Sequence, residues 1–389
     1  MKKKLRVGVI GCGQRMRAIL RLVLEYDRDG LLEIAGCRDP SPLSISDLHE
    51  FAPACHQHDS EESLVGDPAI DWIFIGSWNC HHAAQVVAAL ASGKHVFCEK
   101  PLALSIEDCI AVRDAIAKSG RNFFFGLVLR YSPFYQKIAE YLHCGKIGRI
   151  ISVEFNENLS PAHGGYIFGN WRRFRRNAGT HLLEKCCHDL DLANWLLDSV
   201  PVRAASFGGN NFFVKENAHL NAESTYSRWF DLEGVDPFIA DGDIVDNQVA
   251  ILEYANGIRA TFHTNCNSAL PERRFYICGT LGTVRADAIK GEIEISLIGG
   301  DQTIERILGE DGEVGGHAGG DRVMARGIID TLLNGAEPLA SVEEGINSAV
   351  AAFGIDQALD EGTIIDLRPL WARVNYAASA KKGSFNPCE

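Results

Sequence analysis

A chain of 389 residues is long enough for two domains of ordinary size. With 46% hydrophobic and 23% charged residues it has the balance of a globular protein and not of a disordered one. A formal charge of −13 speaks against nucleic acid and against an anionic membrane surface as partners, because both require a basic face.

The basic start Met1-Lys2-Lys3-Lys4 precedes an apolar run over residues 5–10 that is too short for a secretory leader and breaks at Gly11-Cys12-Gly13. No stretch has the apolar length that spans a bilayer. Twelve cysteines without any Cys-x-x-Cys spacing read as reduced, mostly buried thiols of a cytoplasmic protein, and no metal is expected.

In chain order, residues 5–10 form a buried strand, which Gly11-Cys12-Gly13 turns into a helix over about 15–25. Glycines there let the backbone approach a pyrophosphate resting on the first amides of the helix. Met16 stands where the Gly-x-Gly-x-x-Gly pattern has its last glycine, which implies looser packing of helix on strand. A second strand over 32–37 closes with Arg38-Asp39-Pro40. An acid at that strand end is placed to accept hydrogen bonds from an adenosine ribose, so Asp39 favours NAD over NADP. Arg38 and Arg15 pull the other way, since guanidinium groups pair well with phosphate.

A third strand, 70–76, runs into Ser77-Trp78-Asn79-Cys80-His81-His82, and an alanine-rich helix over 83–92 closes at Gly93. The next strand, 94–98, leads into Glu99-Lys100-Pro101. Pro101 fixes its own φ and keeps Lys100 out of the right-handed helical region. At the carboxyl edge of a parallel sheet the lysine then points into the crevice where nucleotides bind. A helix over 105–119, with Ser105 as its cap, and a strand over 122–129 complete an alternation that specifies a parallel, doubly wound sheet.

With Gly93-Lys94-His95-Val96 leading into Glu99-Lys100-Pro101, and with Asn79 and His82 forming an Asn-x-x-His segment, the chain resembles the Gfo/Idh/MocA oxidoreductases from Arg6 to about Leu367. The resemblance implies an NAD(P)-binding Rossmann domain over 1–129. It also implies a substrate-binding and oligomerisation α+β domain over 130–389, with a large, mostly antiparallel open sheet. It places the dinucleotide on Gly11, Gly13, Gln14, Arg15, Arg38, Asp39, Ser77, Trp78, Asn79, His82, Glu99 and Lys100.

The second half opens at Leu129-Arg130-Tyr131, continues with a helix over 134–143 and a strand over 150–158, and enters a polar, aromatic loop over 161–177. A single helix over 180–197 sets Glu184, His188, Asp191 and Trp195 on one face. An acid four residues before a histidine can orient or tune its ring. The related enzymes carry an Asp-x-x-x-His pair there, with the histidine on the substrate hydroxyl, so the resemblance assigns that role to His188 and a supporting one to Glu184. A Glu-x-x-x-His metal site is conceivable, but the family needs no metal for hydride transfer.

Residues 203–300 read as β-rich, with strands at 249–254, 259–264, 274–278 and 292–298. The acidic, aromatic stretch 212–246 is long for a connection and reads as a site cover or an interface element. A glycine-rich loop over 315–321 carries His317 and precedes a helix over 322–334, a final helix over 342–359 and a short strand over 364–367.

What the resemblance implies is reversible oxidation of a secondary alcohol on a sugar or cyclitol. Lys100 and His188 handle the hydroxyl proton, Glu184 stands behind His188, and Arg130, Trp171, Arg172 and His317 line the substrate side. Glu99 is expected to turn towards the nicotinamide ribose. The open sheet invites pairing into a homodimer or homotetramer. Two alternatives remain open: a redox-neutral glycosidase or isomerase using tightly bound NAD, and a non-catalytic sugar sensor of the same fold.

Overall fold

The computed structural model describes residues 4–221, 226, 235–307 and 317–376. The chain divides into two compact units, Met1–Tyr131 with Gly320–Ile346, and Ser132–Gly319 with Asn347–Glu389. A division at 129/130 therefore differs from the observed one, because a later segment returns to the first unit. Its helix, Gly320–Asn334, buries Met324, Ala325, Ile328 and Leu332. It packs on the helix Gln14–Tyr26, where Arg322 reaches Glu25 at 2.9 Å.

In the first unit the strands are β1 (Leu5–Ile10), β2 (Leu32–Arg38), β3 (His56–Gln57), β4 (Trp72–Ile75), β5 (His95–Glu99) and β6 (Phe123–Gly126). They pair in parallel in the order β3-β2-β1-β4-β5-β6. The order reverses between β1 and β4, which opens a crevice at the carboxyl ends of those strands. Because helices cover both faces of such a sheet, its strands are apolar runs, and all four residues of β4 are buried. Phe74, Phe97 and Phe124 stack across β4, β5 and β6 at 4.9 and 5.7 Å. The helix Ile106–Ser119 begins at Ser105, whose side chain accepts from the Asp108 amide, and ends at Gly120 with φ +61°.

Packing at Met16 is tight, contrary to expectation. Met16 is fully buried, and a Cβ on Gly76 would meet its Cε at 2.8 Å. The small residue that the contact needs sits on the chain just past β4 instead of on the helix, so helix and sheet still meet closely.

In the second unit the strands are β7 (Ile150–Asn158), β8 (Pro201–Gly209), β9 (Asn247–Tyr254), β10 (Arg259–Asn265), β11 (Arg274–Gly279), β12 (Gly282–Asp287), β13 (Glu292–Leu297), β14 (Gln302–Arg306) and β15 (Ile365–Asp366). They form one open sheet in the order β14-β13-β12-β11-β7-β10-β9-β8-β15. β7 and β10 run parallel, and the other neighbours run antiparallel. Alternation gives the sheet one packed face, where Phe155 stacks on Phe262 and Phe275 at 4.7 and 5.4 Å.

Residues 161–177, expected as loop, contain the helix Pro161–Phe168 and a 3-10 turn Trp171–Arg173. Ser160 caps the first of these and Pro161 occupies its first turn, a start in which proline's fixed φ already suits the helix. The described parts of 212–246 carry Phe213, Phe238 and Ile244 into a small core with Ile167, Phe168 and Cys266. Gly315 and Gly316 of the glycine-rich loop lie outside the described residues. No described helix is long and apolar enough to cross a membrane.

Candidate active site

Within the first unit, the loops after β1 and β4 touch at the point where the strand order reverses. Gly11 has φ +81°, and a Cβ there would lie 2.4 Å from the backbone nitrogen of Ser77, so only glycine fits. Gly13 caps the helix Gln14–Tyr26 with no side-chain cap, and a Cβ on it would meet nothing within 4 Å. Open space in front of uncapped first-turn amides suits a pyrophosphate, so the residues present fit a dinucleotide.

The acid at the end of β2 shapes the same loop. Asp39 accepts the Cys12 amide at 2.6 Å through Oδ2 and the Ser41 amide at 2.7 Å through Oδ1. Arg38 donates to the Asp39 carbonyl at 2.8 Å. Arg15 is not directed at Asp39's end of the crevice: its Nε donates to Glu99 at 3.0 Å and its Nη1 to Asp321 at 2.6 Å. Two carboxylates therefore claim the guanidinium that the sequence suggested for phosphate. Glu99, expected at the nicotinamide ribose, gives Oε1 to Arg15 and Oε2 to the Lys100 amide at 3.2 Å. The charged Nε donor of Arg15 to a nearly buried carboxylate decides that orientation.

Lys100 follows directly on β5, half-buried, and precedes a cis bond to Pro101. His82 braces this turn from the side. Its Nδ1 lies 2.8 Å from the Pro101 carbonyl and its Nε2 3.2 Å from that of Ser77. Burial pushes the ring's pKa down, so the neutral imidazole donates its one N–H to the nearer carbonyl. His82 thus fastens the Pro101 turn, with its other ring nitrogen facing the Ser77 carbonyl. Ser77 donates to Gln85 at 2.6 Å, Asn79 is buried, and Trp78 is exposed. Arg130 is buried with its Nη1 3.8 Å from Glu344.

Within the second unit, Arg172 is held on three sides. Its guanidinium lies 4.3 Å over the Trp171 ring and 4.6 Å over the Tyr166 ring, and its Nε donates to Glu184 at 3.1 Å. Glu184 and His188 do not share one continuous helix, as the spacing had suggested. The chain forms two helices, His181–Glu184 and Cys187–Leu196, with a break at Lys185 and Cys186. Lys185 reaches Glu157 on β7 at 3.3 Å and the Cys186 thiol donates to Thr264 on β10 at 3.5 Å. Those contacts with the sheet draw the turn out of register.

His188 lies in the first turn of the second helix, buried, with its ring centroid 6.0 Å from that of His317. The next residue is anchored firmly. Asp189 receives two hydrogen bonds from Arg273, at 2.9 and 2.8 Å, and Arg273 also meets Glu157 at 2.8 Å. Burial pushes the Asp189 carboxyl up to about 6 against the lowering effect of Arg273. Sequence reasoning missed Tyr166, Glu157, Asp189, Arg273 and His181. None of them lies in a local motif; each is brought in by strand pairing or by a neighbouring helix.

Comparison with known proteins agrees with this architecture. Residues 5–127 match the description "Oxidoreductase family, NAD-binding Rossmann fold", and residues 139–367 match "Oxidoreductase family, C-terminal alpha/beta domain". The oxidoreductase YteT of Bacillus subtilis (strain 168) is 26% identical over 94% of this chain and 99% of its own length. The 1,5-anhydro-D-fructose reductase of Ensifer adhaerens is 29% identical, over 58% of this chain and 59% of its own length. Among solved structures, a levoglucosan dehydrogenase in complex with NADH and levoglucosan superposes with a TM-score of 0.77. It covers 94% of this chain and 100% of its own at 19% identity, a likeness of fold. With both of its domains matched in order, the chain belongs to the Gfo/Idh/MocA oxidoreductase family.

Proposed function

We propose that the protein is an NAD-dependent dehydrogenase that oxidises a secondary hydroxyl of a sugar, sugar derivative or cyclitol. The observation that carries this reading is Lys100 at the carboxyl end of β5, in a turn braced by His82, beside a loop whose Gly13 leaves room for a pyrophosphate. When bound, the dinucleotide supplies the hydride acceptor. Lys100 polarises the substrate hydroxyl and relays its proton, and His188 acts as second proton carrier. Positioned acid–base groups of this kind contribute about 10² to 10⁴ in rate. Asp189, fixed by Arg273, holds the helix start that carries His188.

Glu184 serves through Arg172, which it keeps between Trp171 and Tyr166. An arginine locked in that way offers fixed donors to ring hydroxyls, and Trp171 offers an apolar face to a sugar ring. The relatives support the substrate class. Their names include inositol 2-dehydrogenase 3 of Saccharopolyspora erythraea, at 27% identity over 51% of this chain, as well as the reductase above.

The test is a spectrophotometric screen of polyols and sugars with NAD and NADP in parallel, followed by Lys100→Ala on the best substrate. Loss of at least about 10²-fold in turnover with dinucleotide binding retained is expected; full activity in the variant overturns the role of Lys100. A second reading has its own support. One relative, at 28% identity over 60% of this chain, is named 2,7-anhydro-N-acetylneuraminate hydratase, a redox-neutral reaction. Product formed from an anhydro-sugar or glycoside without added cofactor would favour it.

A further inference from the structure

The first unit holds a cluster of soft ligands that the dehydrogenase reading leaves unused. Cys37 near the end of β2, Cys55 in the loop before β3, and His49 at the end of the helix Pro42–His49 each offer one ligand atom, and these atoms lie within 4.8 Å of one another. Both cysteines are buried and free. His49 Nε2 lies 3.0 Å from the Cys55 carbonyl, so donation from Nε2–H leaves Nδ1 with the ring's lone pair. The backbone is tied down around the cluster, with the Cys55 amide on the Ala52 carbonyl at 3.0 Å and the His58 amide on the Cys37 carbonyl at 2.9 Å.

We propose that Cys37, Cys55 and His49 bind one Zn(II) ion, which fastens the segment 49–55 to β2. Two thiols and an imidazole are the ligand types zinc prefers, at about 2.3 Å for sulfur and about 2.0 Å for nitrogen. Ligand atoms already within 4.8 Å of one another need only a small contraction to reach a tetrahedral edge. Charge selects the metal. On binding, Cys37 and Cys55 each release a proton, and two thiolates with Zn(II) and a neutral imidazole sum to zero. A neutral site suits a buried position, where an unbalanced charge is costly. Copper(I) on the same ligands would leave a net negative charge there.

The test uses the full chain, stripped with a chelator under a phosphine reductant and titrated with Co(II) as an optical stand-in for zinc. The expected result is a thiolate-to-cobalt charge-transfer band that saturates at one equivalent, is bleached by Zn(II), and goes with a higher Tm in the presence of Zn(II). Cys55→Ser and His49→Gln, each checked by circular dichroism for native fold, lose the band. Cys109→Ser, a buried thiol in another helix, keeps it. Absence of the band in the wild type overturns the proposal, as does its survival in folded Cys55→Ser. A Cys37–Cys55 disulfide that forms in air with equal ease in the presence of Zn(II), found by mass spectrometry, also overturns it.

Discussion

Arg15 and Glu99, 84 residues apart in sequence, meet at 3.0 Å at the carboxyl edge of the parallel sheet. The same guanidinium holds Asp321 at 2.6 Å, so one cation orders two acids from different parts of the first unit. Glu99 is nearly buried, and an acid in that position needs its partner. In Arg15→Met the carboxylate loses its charged donor, at a cost of about 1–3 kcal/mol. A fall in Tm is expected, with dinucleotide affinity changed less than tenfold. Thermal melts and a fluorescence titration with NAD check both. An unchanged Tm with much weaker dinucleotide binding would return Arg15 to the phosphate role that the sequence suggested.

His181 gives a stability effect with a definite sign. The ring is buried, accepts or donates at Thr264 Oγ1 over 3.0 Å, and burial pushes its pKa down to about 4 from an ordinary value near 6.5. As pH falls from about 6.5 towards 4, the unfolded chain takes up this proton before the folded one, so stability is lost across that window. Asp189 and Asp356, raised by burial to about 6, act in the opposite sense, since the folded state holds their protons more tightly. The net curve therefore mixes both, and a difference isolates the histidine. His181→Gln is expected to be less stable than wild type at pH 7 and to close that gap as pH drops to 4. Urea unfolding at four pH values measures it; a gap that stays constant would show that His181 titrates alike in both states.

How far the sequence could be read follows from where each residue's partners lie. The parallel sheet was legible because its strands are buried on both faces and so spell continuous apolar runs, as in Trp72–Ile75. The places of Gly11, Asp39 and Lys100 were legible because each follows directly on a strand end. The orientation of Glu99 was not, since Arg15 and Asp321 arrive from elsewhere in the chain. Spacing of i and i+4 put Glu184 and His188 on one helix, but Lys185 and Cys186 are drawn to Glu157 and Thr264 instead. The tight fit of Met16 over Gly76 was also hidden: the missing glycine is supplied by a different segment. Ser160-Pro161 was a readable helix start that the Gly164-Gly165 pair after it obscured.

The unpacked face of the nine-stranded sheet supports the expected self-association. Ile251, Thr261, Glu154, Tyr276, Arg285 and Glu294 are cross-strand neighbours in one row, ending at Ile304, and Phe207 pairs with Val249 beside it. Phe207, Val249 and Ile251, neighbours on β8 and β9, are 70%, 45% and 62% exposed, an apolar cluster at one side of a row that is otherwise largely polar. A twofold pairing of this face with a second copy would cover it. The double variant Phe207→Glu/Ile251→Lys is expected to shift the protein to monomer in light scattering after size exclusion, with its circular dichroism unchanged. A wild type that is already monomeric at micromolar concentration would end this expectation.

Asp39 offers a test of cofactor choice that separates two roles. Its carboxylate accepts the Cys12 and Ser41 amides, so part of its contribution is to shape the glycine loop. If shaping were its only role, Asp39→Asn would weaken NAD and NADP alike, because both carry the same pyrophosphate. If the carboxylate also accepts the ribose hydroxyls, losing its charge removes charge-assisted hydrogen bonds worth about 1.5–3 kcal/mol and relieves repulsion of a 2′-phosphate. The neighbouring guanidinium of Arg38 then favours the phosphate. The expected outcome is a ratio of NAD to NADP affinity that falls by at least about tenfold, the equivalent of about 1.4 kcal/mol. Paired titrations of wild type and variant with the two reduced cofactors give that ratio directly, and a ratio unmoved by the substitution leaves Asp39 with the loop alone.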